Sequence, residues 1–166
     1  MQAPLTLILG GQRSGKSAYA QSLLTSGGVY LATGEGSDAE MSARIKAHQD
    51  RRGEGWLTVE EPLDLASALA QMPKDKPVLV DSLGMWVSNM LYKELPLDLE
   101  TLAETLHNHP TPVVIVSDIV GLGVIPMNAV ARAFVDTLGS ANQVLAAKAA
   151  RVVLVTAGLC QILKEQ

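Results

Sequence analysis

A single cysteine, Cys160, excludes an internal disulfide, and with no Cys or His neighbours it offers no zinc site. Excess positive charge is also missing. With 13 Lys and Arg against 17 Asp and Glu, the chain has a formal charge of −4 and no general attraction for a polyanion, so nucleic acid and anionic membranes are not expected partners. Any phosphate site must be built locally. No apolar run is long enough to span a bilayer, and the opening MQAPLTLILGG lacks the basic region and apolar core of a signal peptide. The expectation is a cytoplasmic protein without a membrane span. Repeats, low-complexity tracts and linkers are lacking too, and 166 residues that are 48% hydrophobic suit one domain over 1–166.

What is present is a rhythm. Five short runs rich in β-branched residues, Leu5 to Leu9, Val29 to Ala32, Val78 to Val80, Val113 to Val116 and Val152 to Val155, read as buried strands. Between them lie stretches of helical period or composition, near Lys16 to Leu24, Asp38 to Arg52, Leu63 to Gln71, Leu83 to Tyr92, Leu97 to His107 and Asn128 to Lys148. In the last, Val130, Phe134, Leu138 and Leu145 form an apolar stripe for core packing, while Arg132 and Asp136 read as an exposed i,i+4 pair or as part of a subunit or substrate surface. Strands alternating with helices imply crossovers and a parallel sheet covered on both faces. The expected fold is α/β.

Directly after the first strand stands Gly10-Gly11-Gln12-Arg13-Ser14-Gly15-Lys16-Ser17, which fits G-x-x-x-x-G-K-[ST]. Glycines let consecutive backbone N–H groups turn around a phosphate, the following helix points its positive end there, Lys16 reaches the outer phosphates and Ser17 can hold Mg²⁺. Such a loop needs a carboxylate at the end of a neighbouring strand to organise the metal, and Val78-Leu79-Val80-Asp81 supplies one. Asp81 has a second reading, as a cap for the helix that follows.

Ser37-Asp38-Ala39-Glu40 is a capping box, so a helix is expected to start near Asp38. Counting on, Met41, Arg44, Ile45, His48, Arg51 and Arg52 fall on or beside one stripe, which sets an imidazole among three guanidiniums. Guanidinium neighbours disfavour the imidazolium and keep the ring nucleophilic, so attack by His48 on a triphosphate is chemically reasonable. A solvated histidine on a basic helix explains the same spacing. His107 and His109, beside Pro110, read as solvated loop residues.

Over nearly its whole length the sequence resembles the bifunctional adenosylcobinamide kinase and adenosylcobinamide-phosphate guanylyltransferase family of cobalamin biosynthesis. The resemblance is carried by the GGQRSGKS loop; Tyr30-Leu31-Ala32-Thr33; Glu40-Met41, Arg44-Ile45, His48 and Arg51-Arg52; Trp56 to Glu60; Asp81, Trp86 and Asn89-Met90-Leu91; Val120-Gly121-Leu122-Gly123 with Pro126; and Arg132, Asp136, Gly139, Asn142-Gln143 and Ala157-Gly158. It implies a RecA-like P-loop fold assembled as a homotrimer, with ATP, GTP and a corrinoid as substrates. A nucleoside triphosphate would phosphorylate the aminopropanol hydroxyl of adenosylcobinamide. GTP would then guanylylate a histidine, matched here by His48, and the GMP would pass to adenosylcobinamide phosphate. The resemblance further implies nucleotide contacts from Thr33, Gly34, Glu35, Gln49, Asp50, Arg51, Arg52, Glu60 and Asp81.

The chain departs from the family pattern in one half. Where the family reads Asn-Glu before Val-Gly-x-Gly, Asp118-Ile119 stands, and Met127 replaces a Glu after Pro126; an acidic residue near Arg151 is also missing. Asp118 keeps a carboxylate one position early, but a one-residue shift in a strand reverses side-chain direction, which argues against simple replacement. If the lost Glu assists metal binding or activation of the corrinoid hydroxyl, the kinase step is the one affected. Two further readings therefore stand beside the bifunctional transferase: a P-loop small-molecule kinase in which His48 is only a basic-helix residue, and a nucleotide-binding regulator that has lost turnover.

Overall fold

Uninterrupted aliphatic and β-branched runs fold best where both sheet faces are covered, and the five runs read from the sequence form central strands of a single sheet. The computed structural model describes residues 4–35, 46 and 55–166. Among these the strands are β1 (Leu5–Gly10), β2 (Gly28–Ala32), β3 (Trp56–Glu60), β4 (Val78–Asp81), β5 (Val113–Asp118), β6 (Arg151–Thr156) and β7 (Leu159–Glu165). The helices are α1 (Lys16–Ser22), α2 (Leu65–Gln71), α3 (Leu83–Tyr92), α4 (Leu99–His107) and α5 (Ala129–Lys148). Of the helix expected over 38–52, Lys46 is described and is helical and exposed; the rest, with the capping box at Ser37 and Glu40, lies outside the described residues.

The strand order is β3-β2-β4-β5-β1-β6-β7, parallel from β1 to β6, with β7 antiparallel to β6. Two strands were not read from the sequence. Both lie at sheet edges: β3 is half-exposed along its length and β7 is almost wholly exposed, so neither needs a continuous apolar run. A two-residue turn at Ala157 and Gly158, with φ of 54° and 76°, closes the β6–β7 hairpin. It adds the one antiparallel pairing to the parallel sheet that alternation of strands and helices implied.

Side-chain alternation splits the core in two. Leu5, Leu7, Leu9, Leu31, Val80 and Ile115 face α2, α3, α4 and α5, whereas Ile8, Tyr30, Leu79, Val114 and Val116 face α1. Side chains start the helices by accepting orphan backbone N–H groups: Asp64 from Ser67, Ser82 from Met85, Asp98 from Thr101 and Asn128 from Val130 and Ala131. On α3, Trp86 and Met90 are buried, as packing predicts. On α5, Leu138 and Leu145 are buried and Phe134 packs beside them, but Val130, in the first turn, is 73% exposed and falls outside the core stripe.

Candidate nucleotide site

In a parallel sheet every strand delivers its next loop to the same edge, where ligands of open α/β folds bind. Here that edge gathers the loop after β1, residues 33–35 after β2, Glu60 at the end of β3, Asp81 at the end of β4 and Asp118 at the end of β5. The sequence distributes these groups over more than 100 residues; the topology brings them to one side of the molecule.

The loop from Gly10 to Ser17 is shaped by its glycines. At Gly10 a Cβ would lie 2.7 Å from the Val155 carbonyl oxygen and also strike the Ser14 hydroxyl, so no side chain fits there. Gly15 takes φ of 96°, in the left-handed region, immediately before α1. Arg13 takes φ of 55°, the Ser14 N–H donates to the Gly11 carbonyl at 3.2 Å, and the Gly158 N–H donates to the Ser14 carbonyl at 2.8 Å. The β6–β7 turn thus braces the loop from outside. Among the described residues no side chain caps α1, and its first turn has no acidic residue, which leaves its N–H groups open to an anion there. The Ser14 hydroxyl is buried with no partner among the described residues, and Gln12 and Arg13 are exposed at the loop's crest.

Lys16 is folded back into this loop. Its Nζ donates to the Gly11 carbonyl at 3.0 Å and pairs with Asp118 Oδ1 at 2.8 Å, and its side chain is only 11% exposed. The neighbour of β1 on this side is β5, whose Asp118 stands in register with Gly10, while β4 lies one strand farther out. Asp81 is therefore not on a neighbouring strand of the loop, as read from the sequence; two strand spacings, roughly 9.5 Å, separate β4 from β1. Nor does Asp81 cap α3, since Ser82 does. One oxygen of Asp81 instead accepts the Tyr30 hydroxyl at 2.8 Å, and Tyr30 in turn meets Trp56 edge to face at 6.3 Å.

The remaining expected contacts are placed as follows. Thr33 is fully buried; its hydroxyl donates to the Ser82 carbonyl at 2.6 Å and accepts from the Ser82 N–H at 2.8 Å, locking the ends of β2 and β4 together. Gly34 and Glu35 are half-exposed, with Glu35 3.3 Å from Lys93, and Glu60 is exposed. Asn89 holds the same corner by donating to the Thr33 and Pro62 carbonyls at 2.7 and 3.1 Å. His48, Gln49, Asp50, Arg51 and Arg52 lie outside the described residues. Among the described residues no group of three or more His, Cys, Asp or Glu could cage a metal. Mg²⁺ suits such a site, because it keeps its waters and needs only one or two protein oxygens beside phosphate, such as the Ser17 hydroxyl and the Asp81 carboxylate.

Asp118 points at the phosphate loop and Ile119 turns to the apolar cluster of α3 and α5, so the two adjacent side chains face opposite ways, as strand alternation requires. Other readings change. His109 is 3% exposed rather than solvated, its Nδ1 within 3.3 Å of the Thr111 N–H, and burial pushes its pKa down. His107 is half-buried, with Nδ1 3.1 Å from the Lys148 carbonyl. Arg132 donates to the Pro126 and Met127 carbonyls at 2.9 and 2.6 Å, fixing the loop before α5. Sequence reasoning gave no role to Asn142, which accepts from the Ser117 hydroxyl at 2.6 Å and donates to the Asp118 carbonyl at 3.1 Å. Its signals were its place among the residues that carry the family resemblance and a polar side chain on the sheet-facing side of α5.

Comparison with known proteins agrees with this geometry. The flagellar accessory protein FlaH from Methanocaldococcus jannaschii shares the fold, with a TM-score of 0.56 over 99% of this chain and 80% of its own at 13% identity. The strand order, with β5 inserted between the phosphate-loop strand and the Asp81 strand, is RecA-like. In sequence, the chain is 40% identical to the bifunctional adenosylcobalamin biosynthesis protein CobP of Pseudomonas aeruginosa, over 95% of this chain and 96% of that one. It is 33% identical to the corresponding protein CobU of Escherichia coli, over 93% of this chain and 97% of that one. A sequence model of cobinamide kinase / cobinamide phosphate guanyltransferase matches residues 6–163. The chain belongs to the cobinamide kinase / cobinamide phosphate guanyltransferase family.

Proposed function

We propose that this chain is a bifunctional, cytoplasmic enzyme of cobalamin biosynthesis that phosphorylates adenosylcobinamide and then transfers GMP from GTP to adenosylcobinamide phosphate. The observation that carries the reading is the phosphate loop with Lys16 at the carboxyl edge of the sheet, in a chain whose family match runs through residues 6–163. Backbone N–H groups of residues 10–17 hold the phosphates of ATP or GTP, and Lys16 leaves Gly11 and Asp118 to meet the outer phosphates. Ser17 and Asp81 would hold Mg²⁺, which would supply neutralisation of phosphate charge there. Thr33, Gly34, Glu35 and Glu60 border the nucleotide from β2 and β3, with Thr33 offering backbone only because its hydroxyl is engaged. Gln49, Asp50, Arg51 and Arg52 complete the contacts.

In the guanylyl half, His48 attacks the α-phosphorus of GTP, pyrophosphate leaves, and a phosphate oxygen of adenosylcobinamide phosphate then displaces the imidazole to give adenosylcobinamide-GDP. Self-association, which the family resemblance makes a homotrimer, is supported by the apolar run on the loop before α5 and its first turn: Leu122, Val124, Ile125 and Val130 are 73 to 94% exposed, which marks an interaction surface. The deciding experiment incubates the protein with Mg²⁺ and GTP labelled on the α-phosphate, beside His48→Ala. Acid-labile, base-stable label on the wild type alone is expected; no label on either, despite GTP binding, overturns the guanylyltransferase reading.

A further inference from the structure

A carboxylate paired with the phosphate-loop lysine has to be accounted for once a nucleotide claims that lysine. Asp118 is fixed for this position on every side. Its backbone is in register with Gly10, the next N–H, of Ile119, donates to the Gly10 carbonyl at 3.0 Å, and its own carbonyl accepts from Asn142. Its Oδ2 occupies the space that a side chain on Gly84 would need, 2.5 Å from an ideal Cβ there, so the start of α3 admits the carboxylate because residue 84 is glycine. Its Oδ1 lies 2.8 Å from Lys16 Nζ. Ile119, standing where the family pattern has a Glu, is packed in the apolar cluster.

We infer that Asp118 is the proton acceptor of the phosphorylation step, a role that rests on the proposed kinase activity. When the outer phosphates draw Lys16 away, Oδ1 loses its counter-ion while still facing the phosphate end of the site, and a lone anion beside a triphosphate is unfavourable unless a proton or cation joins it. The incoming substrate brings that proton. The alcohol oxygen of the corrinoid side chain forms a bond to the γ-phosphorus, the bond from that phosphorus to the β,γ-bridging oxygen breaks, and the diphosphate leaves with both electrons. The hydroxyl proton passes to Asp118 and from there to water. Lys16, released from the pair, stays with the phosphates to stabilise the charge that develops on the leaving group.

The test is Asp118→Asn in the full chain, with Gly84→Ala as a second variant that displaces the carboxylate without removing it. Two reactions are measured: ATP-dependent phosphorylation of adenosylcobinamide, as kcat and KM, and self-labelling by α-labelled GTP, which needs no alcohol deprotonated. Asp118→Asn is expected to lower the kinase kcat by about 10²- to 10⁴-fold, the usual contribution of a positioned acid or base, with KM for ATP not raised and self-labelling retained. Unchanged kinase kcat overturns the inference. So does a joint fall of both reactions with weakened ATP binding, which would make Asp118 only a holder of Lys16. A wild type that labels itself but never phosphorylates the corrinoid also overturns it, whereas a wild type that does neither removes the proposed function itself.

Discussion

Replacing Gly84 by alanine moves one carboxylate and leaves its charge in place. The new Cβ would stand 2.5 Å from Asp118 Oδ2, against about 3.3 Å for a tolerable carbon–oxygen contact, so one side must yield by roughly 0.8 Å. The helix is the stiffer side: Ser82 caps it, and Leu83 and Val87 are fully buried on the sheet. The carboxylate is the free end of a side chain and shifts instead, away from α3 and out of its geometry with Lys16. A misplacement near 1 Å at a reacting group costs on the order of 10²-fold in rate, which is the expected loss in kinase kcat. Stability moves little. Alanine in place of a helical glycine contributes about 0.5–1 kcal/mol, and a strained Asp118 rotamer costs about as much. The net change stays within about 1 kcal/mol, or some 2–4 °C in melting temperature for a chain of this size. Thermal melting, corrinoid phosphorylation and GTP self-labelling on the same preparation check it. Full kinase activity at an unchanged melting temperature would refute the argument, and loss of both activities with a large drop in melting temperature would show that the helix moved instead.

Other consequences follow from single contacts. Asn142→Ala strands the hydroxyl of Ser117, which is fully buried, and the Asp118 carbonyl, and is expected to cost about 2 kcal/mol, read as a lower urea midpoint at constant slope. Burial, the largest cause, lowers the pKa of His109, so the unfolded chain binds its proton first as pH falls. Stability carries no penalty from this group above about pH 6.5 and declines below it toward the lowered folded value, by at most about 1.4 kcal/mol per pH unit. In His109→Asn that part of the acid slope disappears from urea titrations run between neutral and mildly acid pH. If the proposed homotrimer forms through this patch, Val124→Asp on the 94% exposed side chain is expected to give monomers in light scattering where the unaltered protein gives trimers, with GTP binding by isolated chains retained; trimers from both place the interface elsewhere.

The parts of the fold visible in the sequence are those where burial alone dictates composition. Strands β1, β2, β4, β5 and β6 are covered on both faces and read as aliphatic runs, whereas the cap of α3, read as Asp81, is Ser82 one residue on. Edge strands carry no such pressure: β7 alternates Cys160, Gln161 and Lys164 with Leu and Ile because little of it is buried, and its pairing is set by the turn at Ala157 and Gly158. The exposure of Val130 was hidden too, since periodicity finds a helix's apolar face but not which of its residues meets the core.

The phosphate loop was legible because its function is local: eight consecutive residues, bracketed by a strand and a helix, specify the whole anion cradle. The carboxylates that serve it are a property of strand order, and strand order is a long-range outcome. Linear reading gave Asp81 the neighbouring place. Insertion of β5 between β4 and β1 corrects that, seating Asp118 against Lys16 and leaving Asp81 with Tyr30. The alternation of side chains in a strand holds at its end: Asp118 faces the loop and Ile119 the apolar cluster, so the loss of a Glu at position 119 leaves the loop-facing position acidic in this chain. The kinase half is therefore best judged by what reaches Lys16, and Asp118 does.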